Sequence, residues 1–300
     1  MPTRIPVMVL GILTLVSLAA GTAADRRYEK KFTVTPGGTL RVHTDIGSVK
    51  VTGGSGSEVS VLVEMKGREG DIEDFSVSAE QDAGGVTVRG DLKSLWSWGG
   101  RNLDVRFTIL VPREYNLSLE TSGGDLAVGS LKGSVSGETS GGDIRAREIE
   151  GKTDLRTSGG DAYAEKVVGE LSLETSGGDI VVNGVKGNTS ASTSGGNVKI
   201  ADVDGRAEAE TSGGDVSLSV TGPNRGIKAE TSGGDIEISI GKDVGARIDA
   251  GTSGGEVVCD LPITVSGKIS ESSIRGSVNG GGELIHARTS GGDIRIRALP

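Results

Sequence analysis

The 300-residue chain holds 51 glycines and 7 prolines, is 3% aromatic and 24% charged, and carries a net charge of −9. Aromatic rings supply the largest single portions of buried area, so a core built almost without them must be thin or repetitive, and high Gly with little Pro excludes collagen-like and proline-rich disordered chains. The acidic balance disfavours nucleic acid, whose phosphates need clustered Lys and Arg, and leaves cations, basic proteins or neutral sugars as partners.

Residues 1–24 read as a signal peptide. Met1 to Arg4 carries one positive charge, Ile5 to Ala20 is an apolar run, and small residues lead to Ala24 before Asp25-Arg26-Arg27. The run is short for a bilayer span, so the expected product is exported, to the periplasm, the cell surface or the medium, with no transmembrane segment after cleavage. The single cysteine, Cys259, has no intramolecular partner, so the fold must hold without disulfides.

Residues 25–112 alternate apolar and polar residues in Thr39 to Val51, Val59 to Glu64, Val86 to Val88 and Val105 to Val111. Period two is the mark of half-buried strands. The segment is expected to be an N-terminal cap with irregular early rungs. A loop, Leu95-Trp96-Ser97-Trp98-Gly99-Gly100, interrupts it. Trp96 and Trp98 have two readings, a stacking surface for sugar rings or a cover over the apolar end of the core.

From residue 113 to 300 the chain repeats. Thr-Ser-Gly-Gly begins at Thr121, Thr139, Thr157, Thr175, Thr193, Thr211, Thr231, Thr252 and Thr289, the first six at intervals of 18. Gly133, Gly151, Gly169, Gly187 and Gly205 keep the same period. Each unit reads as strand, Gly turn, strand, Gly-Gly turn, with Leu171-x-Leu173-x-Thr175 before the motif and Ile180-x-Val182 after it. Such a unit cannot bury its apolar face alone, and stacking units one strand spacing apart creates a continuous core. The prediction is an all-β, β-helix-like β-solenoid of about ten two-strand rungs. One degenerate rung is expected near Ile269 to Val278, and Asp293 to Pro300 is expected to form the last, edge strand.

The motif residues have assigned tasks. Gly123-Gly124, Gly141-Gly142, Gly177-Gly178 and Gly213-Gly214 are expected to reverse the chain where φ > 0 is needed. Asp125, Asp143, Asp161, Asp179, Asp215 and Asp235, with Asn197 at the same position, form a row down one edge. Each caps its own turn, or the row binds Ca²⁺ through carboxylates and turn carbonyls. Asn197 keeps capping geometry without charge, which favours capping. Cys259 aligns with the inward Val182 and Ile200. His43 and His286 are far apart, His286 facing solvent, and no Ser has a His–acid partner, so no catalytic residue is assigned.

Val111-Pro112-x-x-Tyr115-x-Leu117, the Thr-Ser-Gly-Gly-Asp-Ile units and Val278-Asn279-Gly280-Gly281-Gly282 before Thr289 resemble the bacterial putative-adhesin family of β-strand repeat proteins. The resemblance implies a β-solenoid at the cell surface or envelope and supplies no catalytic residues or cofactor. The expected function is a non-catalytic adhesive or structural module for polysaccharide or an envelope protein. The alternatives are a carbohydrate-active enzyme on a β-helix scaffold and an envelope-stress sensory component.

Overall fold

The computed structural model describes residues 24–93, 102–265 and 270–299. The predicted leader, save Ala24, and both tryptophans lie outside the described residues. Among the described residues 27 strands form two sheets, with one short helix.

The regular stack consists of strand pairs. They are β8 (Asn116–Thr121) with β9 (Leu126–Lys132), β10 (Val135–Thr139) with β11 (Ile144–Glu150), and β12 (Thr153–Thr157) with β13 (Ala162–Val168). There follow β14 (Leu171–Glu174) with β15 (Ile180–Lys186), β16 (Thr189–Ser192) with β17 (Val198–Asp204), β18 (Ala207–Glu210) with β19 (Val216–Val220), and β20 (Ile227–Glu230) with β21 (Ile236–Ile240). Even strands stack in one sheet and odd strands in the other, all parallel and in register, so that Leu171 faces Thr189 and Ile180 faces Val198. Ile144, Ala146, Leu155, Leu173, Val182 and Ile200 point inward and are buried. The solenoid fold read from the sequence is therefore borne out.

A second corner has its own period. Ser130, Glu148, Lys166, Gly184 and Asp202 adopt left-handed backbone with φ of 54–70°. The kink flips the phase of each odd strand, so Leu131, Ile149, Val167, Val185 and Val203 return to the core. Asp and Asn tolerate this region better than most residues, and Gly best of all.

The N-terminal part enters the stack, leaves it and returns. β2 (Thr39–Thr44) pairs in parallel with β8, and β3 (Ser48–Gly54) with β9. Thr44-Asp45-Ile46-Gly47-Ser48 is thus a degenerate corner motif, with Thr44 opposite Thr121. Outside this rung lie β1 (Ala24–Thr33), β4 (Glu58–Gly67) and β7 (Leu103–Pro112) on one sheet, and β5 (Phe75–Asp82) and β6 (Gly85–Leu92) on the other. The helix α1 (Glu69–Glu73) packs Ile72 against this end. Aromatic packing is concentrated here, with Phe75 edge-on to Phe107 at 6.5 Å and Tyr115 buried over Gly38.

The C-terminal end departs from expectation in two ways. The rung β22 (Ala246–Thr252) with β23 (Val257–Cys259) does not stack on β20 and β21. Instead β26 (Leu284–Thr289) lies between β20 and β22, and β27 (Ile294–Ala298) between β21 and β23. The last strand is therefore interior, not an edge. Nor, among the described residues, is there a degenerate rung before it. β25 (Ser273–Val278) runs antiparallel to β22 and to β24 (Ile263–Val265), a hairpin that closes the end of the sheet. Open sheet ends recruit other strands, and an antiparallel cover blunts them.

Candidate functional site

The Thr-Ser-Gly-Gly-Asp corner is an inter-rung joint. Each motif Thr is buried, save the half-buried Thr252, and its hydroxyl donates to the second motif Gly carbonyl of the preceding rung, as in Thr175 to Gly160 (2.8 Å) and Thr193 to Gly178 (2.9 Å). Each Asp carboxylate accepts the backbone N–H of the corresponding residue in the next rung, as in Asp179 N–H to Asp161 Oδ1 (2.9 Å) and Asn197 N–H to Asp179 Oδ1 (2.7 Å). The Asp thus caps its neighbour's turn, not its own. The two rails follow spatial order: Asp293 N–H reaches Asp235, and Glu256 N–H reaches Asp293.

The requirement for glycine also differs from the expected one. Of the described motif glycines only Gly124 has a left-handed φ, 131°. A Cβ on Gly142, Gly178 or Gly214 would instead meet the preceding rung's carbonyl oxygen at 2.1–2.2 Å. The first glycines, Gly123, Gly141, Gly177 and Gly213, have open space or ordinary contacts.

The Asp row is compensated locally, with Arg145 paired to Asp143 at 2.8 Å and to Asp125 at 3.8 Å. Among the described residues no three His, Cys, Asp or Glu side chains converge to hold a metal ion. The Oδ1 atoms of Asp125, Asp143, Asp161, Asp179, Asp215 and Asp235 all accept a backbone N–H. A capping role predicts that Asp179→Asn leaves the melting temperature nearly unchanged. Asp179→Ala should cost about 1 kcal/mol, the typical worth of one cap hydrogen bond. Added Ca²⁺ should move neither melt, and stabilisation by Ca²⁺ that Asp179→Ala abolishes would restore the metal reading.

A concave feature lies where the repeat loses its regularity. A polar groove of about 680 Å³ runs along the exposed side of the corners at the C-terminal end. Its floor is a ridge of small residues, Ser194, Ser212, Ser232, Ser290 and Ser253. Its wall carries Glu210, Glu230, Arg288 and Asp249, with Ser272, Ser273 and Arg275 of the closing hairpin at the far end. Ser192 and Gly251 stand where other rungs carry Glu or Arg, and this widens it.

The charges of the wall form one network. Lys228 pairs with Glu210 and with Glu230, and these hydrogen bonds push its pKa up. His286 is half-buried, with Nε2 3.5 Å from Glu230 and Nδ1 4.0 Å from Asp249. Asp249 accepts from Arg288 at 2.7 Å and Arg275 at 3.0 Å. Burial raises the Asp249 pKa, but the two guanidinium groups outweigh it and hold the carboxyl below its ordinary value. The stability this carboxylate contributes is present above its unfolded pKa and is lost as pH falls through the lowered folded one.

The sequence reading did not find this groove. Its only signal was the change in repeat interval after Thr211, to 20, 21 and 37 residues. Of the other chemical groups, His43 is paired with Glu120 at 3.0 Å, and Cys259 is inward-phased but half-buried at the β23 edge, where burial raises its pKa.

Comparison with known proteins places the architecture. The sequence profile of the family described as Toastrack DUF4097 matches residues 39–297. The chain belongs to the Toastrack family. The resemblance carried by its repeats is thereby borne out. This Toastrack chain is similar to a solved putative adhesin of Parabacteroides distasonis, at 10% identity and a TM-score of 0.46, over 91% of this chain and 97% of that one. A putative adhesin of Bacteroides fragilis shows 11% identity and a TM-score of 0.41 over 91% and 97%. A putative cell adhesion protein of Clostridium sporogenes shows 14% identity and a TM-score of 0.23 over 91% and 100%. No curated protein matches the chain. No helix among the described residues is long and apolar enough to cross a membrane.

Proposed function

We propose that the protein is an exported, non-catalytic binding module of adhesin type that holds a polysaccharide strand in the C-terminal groove. The observation that carries this reading is the length and lining of the groove. It crosses β16, β18, β20, β26, β22 and β25, adjacent in the sheet. Five strand spacings of about 4.8 Å make a trough of about 24 Å, suited to an extended ligand. Its serine hydroxyls and its alternating carboxylates and guanidiniums offer hydrogen bonds to a polyhydroxylated chain.

The chemistry of the groove speaks against hydrolysis. A glycosidase needs one carboxyl with a raised pKa as general acid. Asp249 is shifted the other way. Both ring nitrogens of His286 face carboxylates, so the imidazole is not aimed at a serine.

Ser212 and Ser232 are exposed on the groove floor. The double variant Ser212→Tyr/Ser232→Tyr fills the trough without touching the core. It should keep the wild-type melting temperature and lose binding on an array of bacterial polysaccharides by at least about tenfold. Undiminished binding would move the site elsewhere on the molecule. A wild-type protein that ignores polysaccharides but binds extended envelope peptides would overturn the choice of ligand.

A further inference from the structure

The C-terminal rung is a β-arch, two strands joined by a motif corner, that fills a slot in the stack. Its hydrogen bonds run to both sides. Thr289 donates to Gly234 (2.9 Å) while Thr252 donates to Gly292 (2.8 Å), and Thr231 N–H and Ile236 N–H reach the carbonyls of Arg288 and Asp293. In the sheet order, the described strands β22, β23, β24 and β25 join the rest of the stack only through this arch.

Corner chemistry alone does not specify the slot, since nearly every rung carries the same Thr, Gly and Asp rails. Charge does. The segment 284–300 has His286, Arg288, Arg295 and Arg297 against a single acid, Asp293. The slot offers Glu230 and Asp249 on one sheet and Glu237 and Asp260 on the other. Arg288 meets Asp249 (2.7 Å), Arg295 meets Asp260 (2.8 Å), Arg297 meets Glu237 (2.5 Å) and His286 lies between Glu230 and Asp249. Such pairs fix register and partner more than they add stability.

The arch also has a hinge. It is tethered by Asn279-Gly280-Gly281-Gly282-Glu283, where Asn279, Gly280 and Gly281 have φ of 49°, 81° and 93°. Glycine adopts these values and extended ones alike. The inward residues Ile285, Ala287, Ile294 and Ile296 are carried by the arch itself.

We propose that this arch exchanges between copies of the chain: residues 284–298 of one copy seat in the acidic slot of a second, reciprocally. The hydrogen bonds and ion pairs of residues 284–298 are remade in the exchanged pair, while the hinge changes conformation and gives up bonds such as those from Asn224 and Arg247 to the Glu283 carbonyl. The second copy would then supply Arg288, Thr289 and Ser290 to the groove, but the exchange does not depend on what the groove binds.

The test uses two full-length variants. One reverses the slot, Glu237→Arg/Asp260→Arg, and the other reverses the arch, Arg295→Glu/Arg297→Glu. These four side chains are solvent-facing, so each variant keeps its core. Alone, each has like charges in its own slot. Refolded together, they should form a heterodimer, at least about tenfold in excess of either homodimer by light scattering and mass spectrometry of the intact complex. A mixture that stays monomeric, or dimers at statistical ratios, would overturn the proposal. The wild type provides a measurement free of substitution. Tagged and untagged chains refolded together at high concentration should co-purify, and chains folded separately and then mixed should not. Wild-type chains that remain monomeric at every refolding concentration would equally overturn it.

Discussion

Gly178→Ala is expected to lower the melting temperature by roughly 10 °C, whereas Gly177→Ala, one residue away, should change it by no more than about 2 °C. The two glycines share a motif and an apparent role, but their surroundings differ. A Cβ on Gly178 would sit 2.2 Å from the carbonyl oxygen of Gly160, and backbone cannot step aside as a side-chain tip can. The rungs would have to separate by about 1 Å, against a strand spacing of about 4.8 Å. That displacement strains the Asp179 N–H to Asp161 bond, the Thr175 to Gly160 bond and the strand pairing beside them. Overpacking and lost buried hydrogen bonds together amount to about 3 kcal/mol. At Gly177 the nearest atom is 3.6 Å away, an ordinary contact. In a solenoid each rung touches only its neighbours, so hydrogen exchange should localise the damage to residues near 160–196. Equal effects of the two substitutions would show that turn conformation, not stacking, selects glycine.

This pair also shows how far the sequence could be read. The repeat interval made the stack legible, because period two within a fixed period of 18 leaves one arrangement that buries every Leu, Ile and Val stripe. It could not say why the glycines are there. Gly133 and Gly151 do adopt φ of 155° and 151°, so the conformational argument holds at the other turn beside a close backbone contact, while the second motif glycines, save Gly124, answer only to an atom in the preceding rung. The Asp row was misjudged for the same reason. Asp161 and Asp179 look like local turn caps in one dimension, and only stacking brings the carboxylate of one beneath the N–H of the other. Thr44-Asp45-Ile46-Gly47-Ser48 escaped because it keeps the Thr hydroxyl and the second Gly of the motif but spells them differently, with Ser48 Oγ accepting from Asp125 N–H. The groove and the inserted arch were hidden by a deeper limit. A sequence lists rungs in chain order, and a repeat whose units are interchangeable carries no sign of one placed out of turn except its charges.

Removing residues 284–300 is expected to have a still larger effect than Gly178→Ala. The variant loses Ile285, Ile294 and Ile296 from the core, each worth about 2 kcal/mol when fully buried. It also exposes the edges of β20 and β21 on one side and of β22 and β23 on the other. Amide exchange at Thr231 and Ile236 should become fast, since their acceptors are the carbonyls of Arg288 and Asp293. Residues 246–278 should lose protection as a block, because among the described strands only β26 and β27 join them to the stack. One rearrangement could spare the variant: the rung 246–259 could drop into the vacant slot, with Thr252 donating to Gly234 in place of Gly292. The linker opposes this. Gly245 packs against Gly281, and Asn279 donates to the carbonyls of Lys242 and Val244 at 2.8 and 3.1 Å. These contacts survive the truncation and hold the rung one strand spacing away from the stack. Slow exchange at Thr231 and Ile236 in the truncated chain would mean that the linker yields and that two rung orders are open to the same sequence. Fast exchange there, with the remaining rungs still protected, would mean that the arch is what docks the closing hairpin on the solenoid.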